Sequence, residues 1–152
     1  MSGELRTTYV GAIGSSVDVE DDVAIGVVRA DYDFVIRACD RNLPRLGPPR
    51  RLLEAYKNVE ESADRDGHPD SSRVAWETVN YRSRYLNHVD SEPKALEAIR
   101  ETIRKGRTVW LVCLEKDDTF CHRRLLAARV RGEEPAEWQQ LHEPVEPEQS
   151  DE

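Results

Sequence analysis

Hydrophobic positions change period along this chain, and each change marks an element. Residues 7–13, TTYVGAI, and 23–29, VAIGVVR, are short runs rich in β-branched side chains, the pattern of strands. Gly14 closes the first run, and the acidic stretch 18–22 predicts a surface loop between them. Residues 30–49 lose the pattern. RNLPRLGPP alone carries three prolines and one glycine, which excludes a regular helix or a central strand there. Over 50–62, Leu52, Leu53, Tyr56 and Val59 recur at helical spacing. A polar loop is expected at 64–72. A second helix over 74–88 carries Trp76, Val79, Tyr81, Tyr85 and Leu86. A third is expected over 92–105, with Ser91 as N-cap, Pro93 in its first turn, a Leu96, Ile99 and Ile103 stripe, and Gly106 as its stop. Residues 108–115, TVWLVCLE, form the strongest strand signal, an apolar run suited to a parallel strand covered on both faces. A turn at 116–120 then leads into a final helix over 121–131.

Early strands, central helices, then a strand and a helix predict one α/β layered domain over residues 1–132, with a small, mostly parallel sheet. In open α/β sheets ligands sit beyond the carboxyl ends of the strands. That rule selects the chain after Ile13, the position of Arg29, and the stretch 113–123. The longest unbroken apolar run is six residues, 109–114, against the roughly 20 of a spanning helix, so no membrane association is expected. The opening MSGELRTTYV lacks a charged segment followed by an apolar one, so a cytoplasmic location is expected.

Charge refines this picture. The formal net charge is −8, yet residues 133–152 hold eight acidic side chains and no Lys or Arg, leaving 22 acidic and 22 basic residues in 1–132. The excess therefore belongs to an acidic, Pro- and Gln-rich tail with little to bury, expected to be disordered; Trp138 and Leu141 are its candidates for docking on the body. Arginine outnumbers lysine 18 to 4. Acidic excess with few lysines suits a salt-rich cytoplasm. Cys39, Cys113 and Cys121 are an odd number, so free thiols rather than a disulfide framework are expected.

Candidate chemistry concentrates in VCLEKDDTFCHRR, residues 112–124. Cys113 and Glu115 share a strand face. Cys121 and His122 open a helix, whose unpaired amides favour a thiolate and bind anions. The expected catalytic set is Cys121 as thiolate, His122 as the group tuning its proton, and Glu115 as the carboxylate orienting the arginines. The expected substrate-binding set is Arg29, Arg123 and Cys113. The bland reading beside it makes the cysteines core residues and His122 a solvated helix residue. A Cys-x7-Cys spacing does not fit a zinc knuckle, and a fourth ligand would have to come from afar; neither metal nor cofactor is expected. Arg37, Arg41, Arg45, Arg50 and Arg51 gather within fifteen residues, suggesting a phosphate-rich partner, although the body is neutral where nucleic-acid binders are basic. Trp76, Tyr81 and Tyr85 read as core or groove wall ahead of a base-stacking platform. His68, His88 and His142 lie in polar surroundings and are expected to be solvated.

VWLVCLEKDDTFCHRRLLA resembles the C-terminal signature of the domain of unknown function 488 family: a hydrophobic strand ending in Cys-x-Glu, a short acidic loop, then Cys-His-Arg. Cys113, Glu115, Cys121, His122 and Arg123 match it. VAIGVVR is similar to the family's second strand; Arg29 matches, and Val27 stands where the family carries aspartate. TYVGAIG resembles the opening strand and glycine, with Ser15 in place of the usual histidine. RNLPRLGPPRRLLEAYKN, Trp76 and the segment 81–85 look like an archaeal, salt-adapted branch. The resemblance spans roughly residues 7–131. It implies a Rossmann-like α/β domain in the cytoplasm and supplies no agreed reaction. The expected function is a small enzyme acting on an anionic, phosphate-bearing substrate, such as a nucleotide or nucleic-acid component, through a thiol/arginine site. The alternatives are a non-catalytic nucleotide or nucleic-acid binding module and a sensor in which oxidation joins Cys113 to Cys121.

Overall fold

The apolar run near residue 110 is an inner strand of a four-stranded parallel sheet. A computed structural model describes residues 3–137. The strands are β1 (Leu5–Tyr9), β2 (Val23–Gly26), β3 (Arg41–Asn42) and β4 (Val109–Cys113), in spatial order β1-β4-β2-β3 with every pairing parallel. The helices are α1 (Asp33–Ala38), α2 (Arg50–Arg65), α3 (Ser71–Thr78), α4 (Tyr81–Asp90), α5 (Pro93–Arg104) and α6 (His122–Val130). The α/β architecture with a small parallel sheet follows the sequence expectation.

Register fixes where the strands end. Leu5 pairs with Val109 and Tyr9 with Cys113. Beyond Tyr9 there is no ladder to join, and Val10–Ala12 turns into a 3-10 helix, so the first strand lies earlier than residues 7–13. β2 ends at Gly26, short of the expected residue 29, because its neighbour β3 is two residues long. The extended chain continues on substitute partners. Val27 N–H donates to Val112 O at 2.9 Å. The Asn42 side-chain amide accepts from Val28 N–H at 3.1 Å and donates to Val28 O at 3.1 Å, imitating the missing strand residue. Gly47 lets the proline-rich loop press on this segment: a Cβ there would lie 2.6 Å from the Arg29 backbone nitrogen.

Other local differences have local causes. The prolines restrict only residues 44–49, and ahead of them α1 forms and buries Val35. The expected helix 74–88 is two helices, since Asn80 adopts a left-handed conformation (φ 53°) between them; asparagine is among the side chains that enter this region most readily. The Ser91 hydroxyl turns back to the His88 carbonyl at 2.5 Å, closing α4 instead of capping α5.

Strand side chains alternate between two layers. Ile25, Val27, Val109 and Leu111 join the larger cluster with Trp76, Tyr85, Ile99, Leu125 and Leu126. Ala24, Val28 and Val112 join a smaller one with Val35 and Cys39. The expected tail begins on the body: Glu134 meets Arg82 at 3.2 Å and Arg129 at 3.3 Å, and Glu137 accepts from Trp76 Nε1 at 3.0 Å. The rest of the expected tail, with Trp138, Leu141 and His142, lies outside the described residues. No helix among the described residues is long and apolar enough to cross a membrane.

Candidate functional site

The inner strands β4 and β2 end side by side, and the N-terminus of α6 lies against both. β4 delivers Cys113, the chain after β2 delivers Val27–Arg29, and α6 begins with Cys121 as N-cap and His122 in its first turn. Cys113, Cys121 and His122 are all buried, and their sulfur and ring-nitrogen atoms lie within 4.8 Å of one another. Cys113 Sγ is 3.9 Å from both ring nitrogens of His122, and Cys121 Sγ is 4.0 Å from Nδ1.

The imidazole is held from three sides. Its Nε2 lies 2.6 Å from Val27 O. A carbonyl only accepts, so Nε2 carries a proton and the tautomer is set. The Tyr85 ring meets it edge-on, with centroids 5.4 Å apart, and the Tyr85 hydroxyl is anchored on Leu46 O at 2.6 Å. Nδ1 is left beside Cys121 Sγ, with Cys113 Sγ equally close to both ring nitrogens.

The thiols are electrostatically unequal. The hydrogen bond from Cys121, with His122 beside it, outweighs burial and holds Cys113 well below the ordinary thiol range. The same hydrogen bond, reinforced by burial, pushes Cys121 well above it. Burial opposes an imidazolium at His122, but the neighbouring Cys113 outweighs that and leaves the His122 pKa raised. Of the two thiols, Cys113 is therefore the one that gives up its proton more readily, and it does so beside the imidazole.

These residues form the inner wall of a cavity of about 430 Å³. Leu53, Tyr56 and Lys57 of α2, Tyr81 of α4, Phe120, and Val28, Arg29 and Tyr32 after β2 complete most of its lining. Arg29 is half-buried, and its guanidinium has no hydrogen-bond or ion-pair partner among the described residues. Two lining carboxylates are already engaged: Glu60 accepts from the Ser72 hydroxyl at 2.7 Å, and Asp117 accepts from the Thr119 amide at 2.9 Å.

The residues singled out from sequence fall into three groups. Cys113, Cys121 and His122 come together, and Arg29 lines the same cavity. Glu115 lies exposed on the rim, and its carboxylate pairs with neither Arg29 nor Arg123. Arg123 is 3% exposed and does not line the cavity. It donates to the backbone carbonyls of Glu115 and, at 3.0 Å, of Lys116, and lies 3.7 Å from Cys121 Sγ. Its guanidinium thus staples the loop between β4 and α6, where sequence reasoning expected it to hold an anion. His122 is buried rather than solvated. Trp76 and Tyr85 are fully buried, and Tyr81 forms part of the cavity wall. The Cys-x7-Cys spacing notwithstanding, the loop at 114–120 folds back far enough to give two sulfurs and an imidazole one common centre. Sequence reasoning missed Val27 O, which anchors the imidazole, and Asn42, which holds the chain at Val28 beside it; Tyr85 was read as core or groove wall, without its edge-on contact to His122.

A family model described as the active DUF488-N3 subclade matches residues 8–134. No curated protein and no solved structure matches the chain.

Proposed function

This chain belongs to the domain of unknown function 488 family, and on that premise we propose that it is a small enzyme acting on an anionic, phosphate-bearing substrate through a thiol/arginine site. The observation that carries the reading is the convergence of Cys113, Cys121 and His122 on the inner wall of a cavity lined also by Arg29, whose guanidinium has no partner among the described residues. Cys113, in place of the Cys121 expected from sequence, is the nucleophile: both thiols line the cavity beside the imidazole, and Cys113 is the one held below the ordinary thiol range. His122 takes up and returns the proton through Nδ1, and Cys121 donates its S–H to the Cys113 sulfur. Arg29, with Lys57 in the lining of the same cavity, holds the substrate's charge. A cavity of about 430 Å³ falls within the roughly 300–1,000 Å³ of small-molecule sites, and its Tyr32, Tyr56 and Phe120 walls suit a planar ring such as a nucleobase. The excess of acidic side chains and the arginine bias support a setting in a salt-rich cytoplasm.

Alkylation of the folded protein by iodoacetate, an anion, and by neutral iodoacetamide tests this reading. Cys113 is expected to be labelled ahead of Cys39, with iodoacetate favoured. Arg29→Ala is expected to lower the iodoacetate-to-iodoacetamide rate ratio about fivefold, the worth of roughly 1 kcal/mol for a part-exposed charge pair. Labelling that requires unfolding, or a ratio indifferent to Arg29, would overturn it. Anion binding that needs Arg29 but survives Cys113→Ser without any labelled thiol would favour a binding module instead.

A further inference from the structure

We infer that Cys113, Cys121 and His122 also form a binding site for one soft divalent cation of the zinc class, with its fourth position open to the cavity. Three observations carry this. First, the donor set is two sulfurs and one imidazole, the ligand chemistry that selects zinc over magnesium or calcium. Second, the ligand atoms already converge, all within 4.8 Å, with Nδ1 3.9 and 4.0 Å from the two sulfurs. A tetrahedral zinc with metal–sulfur bonds of about 2.3 Å and metal–nitrogen bonds of about 2.0–2.1 Å sets the nitrogen–sulfur edges at roughly 3.5–3.6 Å and the sulfur–sulfur edge at roughly 3.8 Å, so Nδ1 and each sulfur close by about half an ångström or less and the two sulfurs, within 4.8 Å of each other, by at most about 1 Å. Third, the outer hydrogen bond of a ligating histidine is already in place: Nε2–H donates to a backbone carbonyl, Val27 O at 2.6 Å, which leaves Nδ1 the unprotonated nitrogen, 4.0 Å from Cys121 Sγ and 3.9 Å from Cys113 Sγ.

No fourth protein ligand joins this group among the described residues, and all three ligating residues line the cavity. Three protein ligands and an open position are the arrangement of zinc sites that exchange water or substrate. Uptake of one ion displaces whatever protons the two thiols still hold and leaves both sulfurs as bound thiolates. The ion therefore competes with any electrophile for the Cys113 sulfur. That consequence, regulation of the site by metal, rests on the thiol reading above; ion binding itself does not.

Cobalt(II) reports on such a site through its thiolate-to-metal charge-transfer absorption. Titrated into the reduced full-length protein, it is expected to give this absorption saturating at one ion per chain and bleached by zinc. Cys121→Ser is expected to weaken cobalt binding at least about tenfold, the size that loss of outer-shell partners alone reaches. Cys39→Ser is expected to leave it unchanged. In the wild-type protein, stoichiometric zinc is expected to abolish alkylation of Cys113 by iodoacetamide. Absence of the cobalt–thiolate absorption, or the same absorption in Cys121→Ser, would overturn the site. Zinc protection needs no variant, so a misfolded Cys121→Ser protein does not decide the matter. A cobalt band in a protein whose metal-free Cys113 is inert would instead defeat the thiol reading and leave the metal site standing.

Discussion

Two regions bordering one apolar cluster bury thiols to opposite effect. Cys39 ends α1, and Cys113 and Cys121 meet at the end of β4; all three belong to the smaller cluster with Ala24, Val35 and Val112. Cys39 has a single charged neighbour of note, Asp40. Burial, and then that carboxylate, push its thiol up to about 11. The Cys113 region is more deeply buried, yet its thiol is driven the other way, because a second thiol and an imidazole converge on it. Apolar surroundings alone keep a thiol protonated and inert. Convergent donors make it a site, and here they are arranged by backbone groups: Val27 O for His122, and the carbonyls of the loop at 114–120 for Arg123.

The largest difference between the two regions is expected to vanish on removing the imidazole. His122→Ala takes away the proton acceptor beside Cys113, and loss of a positioned acid–base group typically costs about 100-fold or more. Alkylation of Cys113 should slow by at least that factor while labelling of Cys39 in unfolded protein stays the same. His122→Gln keeps a donor for Val27 O and separates lost chemistry from lost packing. Unchanged labelling of Cys113 in both variants would show that His122 does not activate it.

A smaller effect is expected at Arg123. Its buried guanidinium satisfies two loop carbonyls, and leaving such groups unpaired costs about 1–3 kcal/mol. Arg123→Met should therefore lower stability by about 2 kcal/mol, read as a lower denaturant midpoint. It should also raise the rate at which iodoacetamide reaches Cys121, since the loop at 114–120 loses its staple. Cys39 lies outside that loop, so its reactivity should not move. A variant as stable as the parent would mean the loop holds its shape without Arg123.

These contrasts also show how far the sequence could be read. β4 and α6 were legible because their signals are local: an apolar six-residue run, then Cys-His-Arg at a helix start. The helix boundary at Asn80 was hidden, since one left-handed residue leaves the apolar spacing of Trp76, Tyr81 and Tyr85 almost intact. α1 was hidden by prolines that act only after it. At the site, residue types were legible and directions were not. Cys113, Cys121, His122 and Arg29 could be named from chemistry alone. That Arg123 turns away from the cavity depends on where the Glu115 and Lys116 carbonyls point, and carbonyls carry no sequence signature. The same holds for Val27, where the chain lacks a carboxylate but supplies a backbone oxygen to His122.

The smallest expected effect lies at Cys39 and tests the inert half of the comparison. Its thiol is held up to about 11 in the folded protein, against about 9 when unrestrained. Between those values the unfolded chain has released the proton and the folded chain still binds it. Fewer protons bound in the unfolded state means that stability falls as pH rises. The protonated Cys39 thus leaves the fold at full strength below about pH 9 and weakens it progressively from about 9 to about 11. Cys39→Ala removes this one contribution and keeps every other alkaline titration, including those of Tyr56, Tyr81 and Tyr85. Denaturant midpoints of the two proteins should therefore differ by a constant offset below about pH 9, set by the lost side chain, and converge as pH rises above it. Parallel curves over the whole interval would mean that Cys39 releases its proton as easily in the folded protein as in the unfolded one, and that burial in this cluster does not by itself silence a thiol.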